Sequence, residues 1–229
     1  MKFIIYIALL SVIIQGCKTK ADQSDFPSAG VVTYSINYPE EVSKSASSSL
    51  MPDKMTLSFR DNKVRYNLKG SFNVFALDFF SPAIDDSCAT IFRFMDNKLM
   101  YKGACRSNFF FFNDQVSPEI TYFKDETKEI AGLTCRKGEV TFKGLPTFDI
   151  YYAESINIDI PNRHTPFSEV PGLLLEFSVD YNGVRFHFTA KDIDYNIPSK
   201  STFKVPNKSK NVPESEIEDL IITLIHNFQ

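Results

Sequence analysis

The chain has the sequence LEFSVDYNGVRFHFTA from Leu175 to Ala190, and this stretch decides the fold. Asn182-Gly183 is the strongest short hairpin signal, and in a two-residue turn the flanking residues pair in a fixed order. One face then pairs apolar residues: Val179 with Phe186, Phe177 with Phe188, and Leu175 with Ala190. The other face pairs polar residues: Asp180 with Arg185, Ser178 with His187, and Glu176 with Thr189. The pattern predicts a half-buried β-hairpin whose His187 is solvated.

A second hairpin follows from the same pairing order around Asp61-Asn62. Its apolar face pairs Phe59 with Val64, Leu57 with Tyr66, and Met55 with Leu68. Its polar face pairs Arg60, Ser58 and Thr56 with Lys63, Arg65 and Asn67. This alternation is again typical of strands that cover a core on one side only.

A third hairpin is predicted to turn at Asp96-Asn97, with Phe94 opposite Leu99 and Phe92 opposite Tyr101. Counted outward from this turn, Cys88 faces Cys105 on a non-hydrogen-bonded pair, where the Cα atoms lie about 4.5 Å apart. Disulfides tolerate that separation. We therefore predict a Cys88–Cys105 disulfide; a register slip at Gly103 would instead leave two unpaired buried thiols.

Further strands are expected at 31–38, 72–80, 109–112, 133–142 and 148–153, whereas 39–53 and 161–172 are expected to be irregular connections. Helical spacing then appears near the C-terminus, at Ile217, Leu220, Ile221, Leu224, Ile225 and Phe228. Ser215 and Glu218 have capping-box spacing, so the helix is expected to begin near 214–216. Acidic residues on its other face favour packing on the sheet over lying on a membrane. The predicted fold is mainly β (α+β), a curved antiparallel sheet or open half-barrel of hairpins with an amphipathic C-terminal helix on its apolar face.

The N-terminus has the layout of a secretory signal peptide. Lys2 precedes an apolar run, 3–14, that is shorter than the roughly 20 residues a membrane span needs. Residues 13–17, Ile-Ile-Gln-Gly-Cys, resemble the bacterial lipobox, which implies cleavage before Cys17 and multiple acylation of that cysteine. The alternative is an ordinary secreted protein with a cysteine near its cleavage site.

These features divide the chain into a signal peptide (1–16), a lipidated cysteine with a flexible tether (17–29) and one β-rich domain (30–229). Two or more acyl chains anchor a protein stably without a spanning helix. The expected location is the cell envelope, with the membrane as partner through lipid on Cys17. Lys18 follows the anchor, and by resemblance to known sorting rules it favours the outer membrane.

A family resemblance covers two blocks. Residues 127–137, TKEIAGLTCRK, and 166–176, PFSEVPGLLLE, resemble segments of uncharacterised Gram-negative envelope lipoproteins of the GLPGLI kind. The resemblance implies an envelope location and no particular activity. At the level of fold, such proteins are similar to the LolA and LolB lipoprotein carriers, whose curved sheet encloses an apolar cavity.

Composition and motifs argue against two broad classes of function. A net charge of -3 argues against nucleic-acid binding, which normally requires a basic patch. His164, His187 and His226 lie far apart and show no metal-ligand spacing, and no nucleophile elbow or phosphate-binding glycine loop occurs. Cys135 is left over from the predicted pairing, either as a nucleophile or as a buried structural thiol. We expect no enzyme activity and no cofactor.

Two functional hypotheses remain. The chain contains 22 Phe and 10 Tyr. This aromatic content is compatible with binding of a lipid or other hydrophobic small molecule, and equally with rings that the helix and loops bury as core. An aromatic-lined cavity is the expected site, and its candidate lining residues are Phe79, Phe109, Phe110, Phe111 and Phe112. The alternative is a structural or accessory lipoprotein that docks on another envelope protein through a patch or a sheet edge.

Overall fold

A computed structural model describes residues 26–45, 50–71, 74–82, 87–104, 117–206 and 209–228. Its strands, in chain order, are β1 (Ala29–Asn37), β2 (Pro52–Arg60), β3 (Lys63–Gly70), β4 (Phe75–Ser81), β5 (Cys88–Phe94), β6 (Asn97–Gly103), β7 (Glu119–Ile130), β8 (Leu133–Thr141), β9 (Phe148–Ala153), β10 (Leu173–Tyr181), β11 (Val184–Asp194) and β12 (Lys210–Asn211). The helices are α1 (Glu40–Ser43), a 3₁₀ helix at Lys200–Phe203, and α2 (Glu214–Phe228).

All twelve described strands join one open sheet in the order β12-β6-β5-β4-β3-β2-β1-β11-β10-β9-β8-β7. Neighbouring strands are antiparallel except β12 and β6, which are parallel. The prediction of a mainly β, open antiparallel sheet with a C-terminal helix is confirmed.

The hairpins at Asp61-Asn62 and Asn182-Gly183 form in the predicted registers. In both, the two turn residues have positive φ, the backbone of a type I′ turn. Asn, Asp and Gly tolerate this backbone best. The local chemistry of these turns therefore fixes the pairing that the apolar alternation requires.

The predicted register of the third hairpin is wrong by two residues. Phe94 pairs with Asn97 and Phe92 with Leu99, so the turn is Met95-Asp96, with Met95 at φ 52°. A shift of two residues leaves every side chain on its original face, and apolar alternation cannot distinguish the two registers. The shift places Cys88 opposite Gly103 and removes the direct pairing from which the disulfide was predicted.

Two other expectations need revision. The 39–53 connection is not wholly irregular, because it contains α1 and the start of β2. Strand β7 was not predicted, because most of its residues are polar and exposed along the sheet edge. By contrast, α2 lies where predicted, with Ile217, Ile221 and Ile225 buried.

The core lies on one face of the sheet, here called the inner face. Phe59, Tyr66, Leu77 and Phe92 point into it from β2 to β5, and Phe177 and Phe188 stack from β10 and β11 with ring centroids 4.8 Å apart. Phe167, from the 154–172 connection, packs edge-on against Phe177. Helix α2 and this connection therefore cover the apolar face, which no single layer of strands could shield from water.

Removing a central ring tests this packing. Phe188→Ala is expected to lower the free energy of unfolding by about 3–5 kcal/mol, because it removes buried apolar area and leaves a cavity. Leu145→Ala, at a residue 42% exposed, is the control and should cost about 0.5 kcal/mol or less. Guanidinium unfolding of the two variants measures both values, and equal losses would contradict the described core.

Candidate functional site

Two small hollows are described on the inner face, one under α2 and the other under the 154–172 connection. One hollow lined by Phe75, Phe186 and Ile221 measures about 10 Å³, and another beside Tyr34, Leu57 and Phe177 is equally small. Such volumes hold about one water molecule. Within the described residues, these two hollows have no room for a ligand.

A larger cleft opens on the opposite, outer face, and we call it the basic cleft. Its volume is about 300 Å³. It is lined by Lys63, Phe80, Ser81, Pro82, Ser87, Lys200, Phe203, Lys204 and Val205. Among the described residues, the lining thus combines three lysines with an apolar floor and has no carboxylate.

The floor of the basic cleft is a small apolar cluster on the outer face. Phe80 pairs across strands with Ala89, and both pack with Ile91, with Met100 and Val205 against them. The guanidinium of Arg65 lies 5.1 Å from the Phe80 ring centroid and also binds Asp78 at 2.6 Å. The charge nearest this floor is therefore already paired, whereas the three lysines of the rim are exposed.

A second cleft, the polar cleft, lies beside the turn between β2 and β3 and has a volume of about 410 Å³. It is lined by Phe26, Asn62, Glu154, Ile156, Asn157, Ile158, Asp159, Ile160, Pro161, Ser168, Glu169, Val170 and Pro171. The Asn62 side chain accepts a hydrogen bond from the Asp159 amide at 3.1 Å, and its carbonyl accepts one from Arg163 at 2.6 Å. These bonds fasten the 154–172 connection to the hairpin turn.

Ile160, on the wall of the polar cleft, combines exposure with backbone strain. Its side chain is 52% exposed, and its φ is 49°. A β-branched residue in the left-handed region is a genuine outlier. The backbone is therefore strained at Ile160, whose side chain contributes little to the core.

Replacing this residue should relieve the strain. Ile160→Asn is expected to raise the free energy of unfolding by about 1 kcal/mol, because asparagine tolerates positive φ. Ile197→Asn is the matched control, since Ile197 is 68% exposed and has no positive φ. Urea unfolding compares the two variants, and a gain at Ile197 equal to that at Ile160 would contradict the strain argument.

Glu176, Ser178 and His187 form a polar cluster on the outer face that has the residue types of a catalytic triad. Ser178 Oγ and His187 Nδ1 are 2.9 Å apart, His187 Nε2 lies 3.8 Å from Glu176, and Lys128 binds Glu176 at 2.7 Å. Burial lowers the pKa of His187, although Glu176 opposes the shift. Ser178 is buried, so its hydroxyl is closed to a substrate. This geometry fits a bond network between strands rather than a nucleophile with its base.

Ser81 and His164 form a second serine–histidine pair, 2.5 Å apart. Both residues are buried, and the His164 ring packs edge-on against Phe79. Ser81 Oγ also donates to the Pro82 carbonyl. Ser81 also lines the basic cleft, so this buried pair lies between the cleft and the core.

The structure distributes the predicted site residues widely. Phe79 is buried against Tyr66 and lines neither cleft. Cys17, Cys105 and Phe109, Phe110, Phe111 and Phe112 lie outside the described residues, so their roles stay predictions. The lysines of the basic cleft were not predicted, because Lys63 lies far in sequence from the Lys200 to Lys204 segment; their shared side of the sheet becomes visible only from the topology.

Cys88 is disulfide-bonded, and Cys135 is a free, buried thiol. Because Cys105 is outside the described part of the chain, its pairing with Cys88 stays a prediction. Burial, reinforced by Glu129, raises the pKa of Cys135 to about 12. A thiol in this environment is a poor nucleophile near neutral pH.

Alkylation tests both assignments. At pH 8 the native protein should leave Cys135 unmodified by iodoacetamide, with a rate about three orders of magnitude below that of an exposed thiol, because so little thiolate is present. The rate should rise as the pH approaches the raised pKa. A Thr147→Cys variant supplies the exposed control. Rapid native labelling of Cys135, or a Cys88 peptide that is not linked to Cys105 without reduction, would contradict the respective assignment.

Comparisons with known proteins give no further assignment: no protein-family model matches the chain, and no curated protein matches it significantly. The family resemblance therefore stays a prediction. No helix among the described residues has the length and apolar character needed to cross a membrane. Within the same residues, no group of three or more His, Cys, Asp or Glu side chains is arranged to hold a metal ion.

Proposed function

We propose that this protein is a lipid-anchored, non-enzymatic envelope protein that binds an anionic amphiphile in the basic cleft. The observation that carries the proposal is the combination of an apolar floor, Phe80 and Val205, with the ammonium groups of three exposed lysines. Small-molecule sites typically join apolar walls with a few polar groups that orient the ligand. The family resemblance and the predicted lipobox support the envelope location.

The size of the cleft narrows the class of ligand. Ligand pockets run from about 300 to 1,000 Å³, and the basic cleft lies at the lower limit. One acyl chain or one ring system suits this volume, with its anionic group among the lysines. The two small hollows described on the inner face, one under α2 and one under the 154–172 connection, have no room for such a ligand, which favours the outer face.

The charge distribution favours an anion over a neutral ligand. The whole chain has a net charge of -3, yet the described lining of the basic cleft has three positive side chains and, within that described part, no carboxylate. A cleft lined by one sign of charge concentrates ligands of the opposite sign. The expected selectivity is therefore for an ionised amphiphile over its uncharged analogue.

Laurate and methyl laurate test this selectivity with the chain from Lys18 onward, which contains every described contact. Laurate should bind, and replacing Lys63, Lys200 and Lys204 together by glutamine should weaken its binding about tenfold or more, at roughly 0.5–1 kcal/mol per exposed charge. Methyl laurate should bind more weakly and should respond little to these changes. Titration calorimetry and native mass spectrometry provide the affinities.

A matched control replaces Lys54, Lys143 and Lys191 by glutamine, which changes the net charge equally but lies outside the cleft. Equal weakening by both triple variants, or equal affinity for the acid and the ester, would contradict an anion-selective cleft. Absence of any bound amphiphile would contradict the proposal itself.

The second candidate is an accessory lipoprotein that docks on another envelope protein. The small size of the two hollows described on the inner face favours this candidate, because it needs a surface patch and not an interior ligand site. Failure of laurate binding, together with stoichiometric capture of one envelope protein, is the outcome that would select this candidate.

A further inference from the structure

We infer that one end of the sheet is a docking face for an anionic lipid surface, formed by Tyr195, Ile197, Lys63, Lys200 and Lys204. The inference rests on the proposed function for the lipid anchor at Cys17, and it adds the orientation of the domain on the membrane. Three observations support it: exposed apolar side chains, a cluster of lysines, and the position at which the N-terminal chain enters the fold.

Apolar side chains stand out at this end. Ile197 is 68% exposed and Tyr195 is 43% exposed, both in the segment that follows β11. Single exposed apolar residues are ordinary on a protein surface. A tyrosine and an isoleucine next to lysines form the combination found on interfacial segments, where the rings and aliphatic groups enter the headgroup region and the charges meet anionic lipids.

The N-terminal chain enters the fold at the same end. Ala29, the first residue of β1, pairs with Arg60, and Arg60 donates a hydrogen bond to the Pro198 carbonyl at 2.8 Å. The Pro27 carbonyl also accepts a bond from the Asn157 amide at 2.9 Å. The direction of entry is therefore fixed beside the docking face.

The distance to the anchor is short. Eight residues, and so nine Cα–Cα steps, separate Cys17 from Phe26, where the described chain begins. Even fully extended they span only about 30 Å. An acylated Cys17 thus holds this end of the sheet, rather than the end with the Asn182-Gly183 turn, close to the bilayer.

The lysine side chains favour contact of anionic lipid with the outer-face side of this end of the sheet. Lys63, Lys200 and Lys204 rim the basic cleft there. Of the carboxylates described near them, Asp61 is paired with Arg60, whereas Asp194 accepts a hydrogen bond from the neutral Asn196 amide and keeps its charge. The polar cleft, lined by Asp159 and Glu169, is also lined by Phe26, so the tether leaves the fold beside it. An extended tether of about 30 Å lets the lysine side turn toward anionic headgroups from there.

Docking in this orientation opens the basic cleft at the bilayer surface. An anionic amphiphile then passes between leaflet and cleft without exposing its apolar chain to bulk water. Such exposure is energetically unfavourable. The predicted partner is therefore a membrane with anionic headgroups.

The chain contains no tryptophan, so a single introduced Trp reports its own position. The chain from Lys18 onward is attached by an N-terminal hexahistidine tag to a nickel-chelating lipid, which replaces the natural anchor. Vesicles contain phosphatidylglycerol and bromine-labelled phosphatidylcholine. The Ile197→Trp variant should lose several times more fluorescence to the bromines than Leu145→Trp, an exposed control near the opposite end.

Two further conditions sharpen the result. Replacing phosphatidylglycerol by neutral lipid, or Lys63, Lys200 and Lys204 by glutamine, should reduce the quenching of Ile197→Trp toward the level of the control. Equal quenching at both positions, or none at either, would overturn the docking face. Because laurate binding is measured without vesicles, that result leaves the proposed function standing, and loss of laurate binding with strong Ile197→Trp quenching would overturn the function alone.

Discussion

The structure depends on one constraint, which is that an open sheet of twelve strands must keep water off one entire apolar face. Side chains of a strand alternate between faces, so each hairpin adds to both the inner and the outer surface. The rings of Phe177, Phe188 and Phe167 meet on the inner face, where α2 and the 154–172 connection close over them. The two hollows described beneath this covering, each about 10 Å³, have no room for a ligand.

For this reason we propose that recognition takes place on the outer face and at one end of the sheet. The outer face is mostly polar, with ion pairs such as Arg185 to Asp180 between neighbouring strands. It turns apolar around Phe80, where β4 and β5 bring an aromatic ring and two aliphatic residues together. The segment after β11 crosses this patch and adds lysines to its rim. Chain entry at the same end links this surface with the predicted anchor.

Sequence reasoning succeeded where local chemistry and the apolar pattern agree. The type I′ turns at Asp61-Asn62 and Asn182-Gly183 fixed two registers, and helical spacing fixed α2. It failed at Met95-Asp96 because a two-residue shift in register leaves each side chain on the same face. The hydrogen bond from the Met95 amide to the Val74 carbonyl accompanies the observed register, and the apolar pattern could not predict it.

Edges and long-range contacts were the other sources of error. Strand β7 is mostly exposed and shows no apolar alternation, and its turn into β8 at Ala131-Gly132, where both residues have positive φ, was not predicted. The candidate site was beyond sequence reasoning for a similar reason. Lys63 and the Lys200 to Lys204 segment are far apart in sequence, and the fold brings them together in one cleft. The aromatic content instead suggested Phe79, which is buried in the core.

We propose that an apolar ligand binds the outer face of this fold and not its interior. A crystal structure of the domain grown with an anionic amphiphile would show which of the two it occupies. We expect the acyl chain to lie on Phe80 and Val205, with its anionic group among Lys63, Lys200 and Lys204. A chain inserted between the sheet and α2, with Ile221 displaced from Phe75 and Phe186, would contradict it.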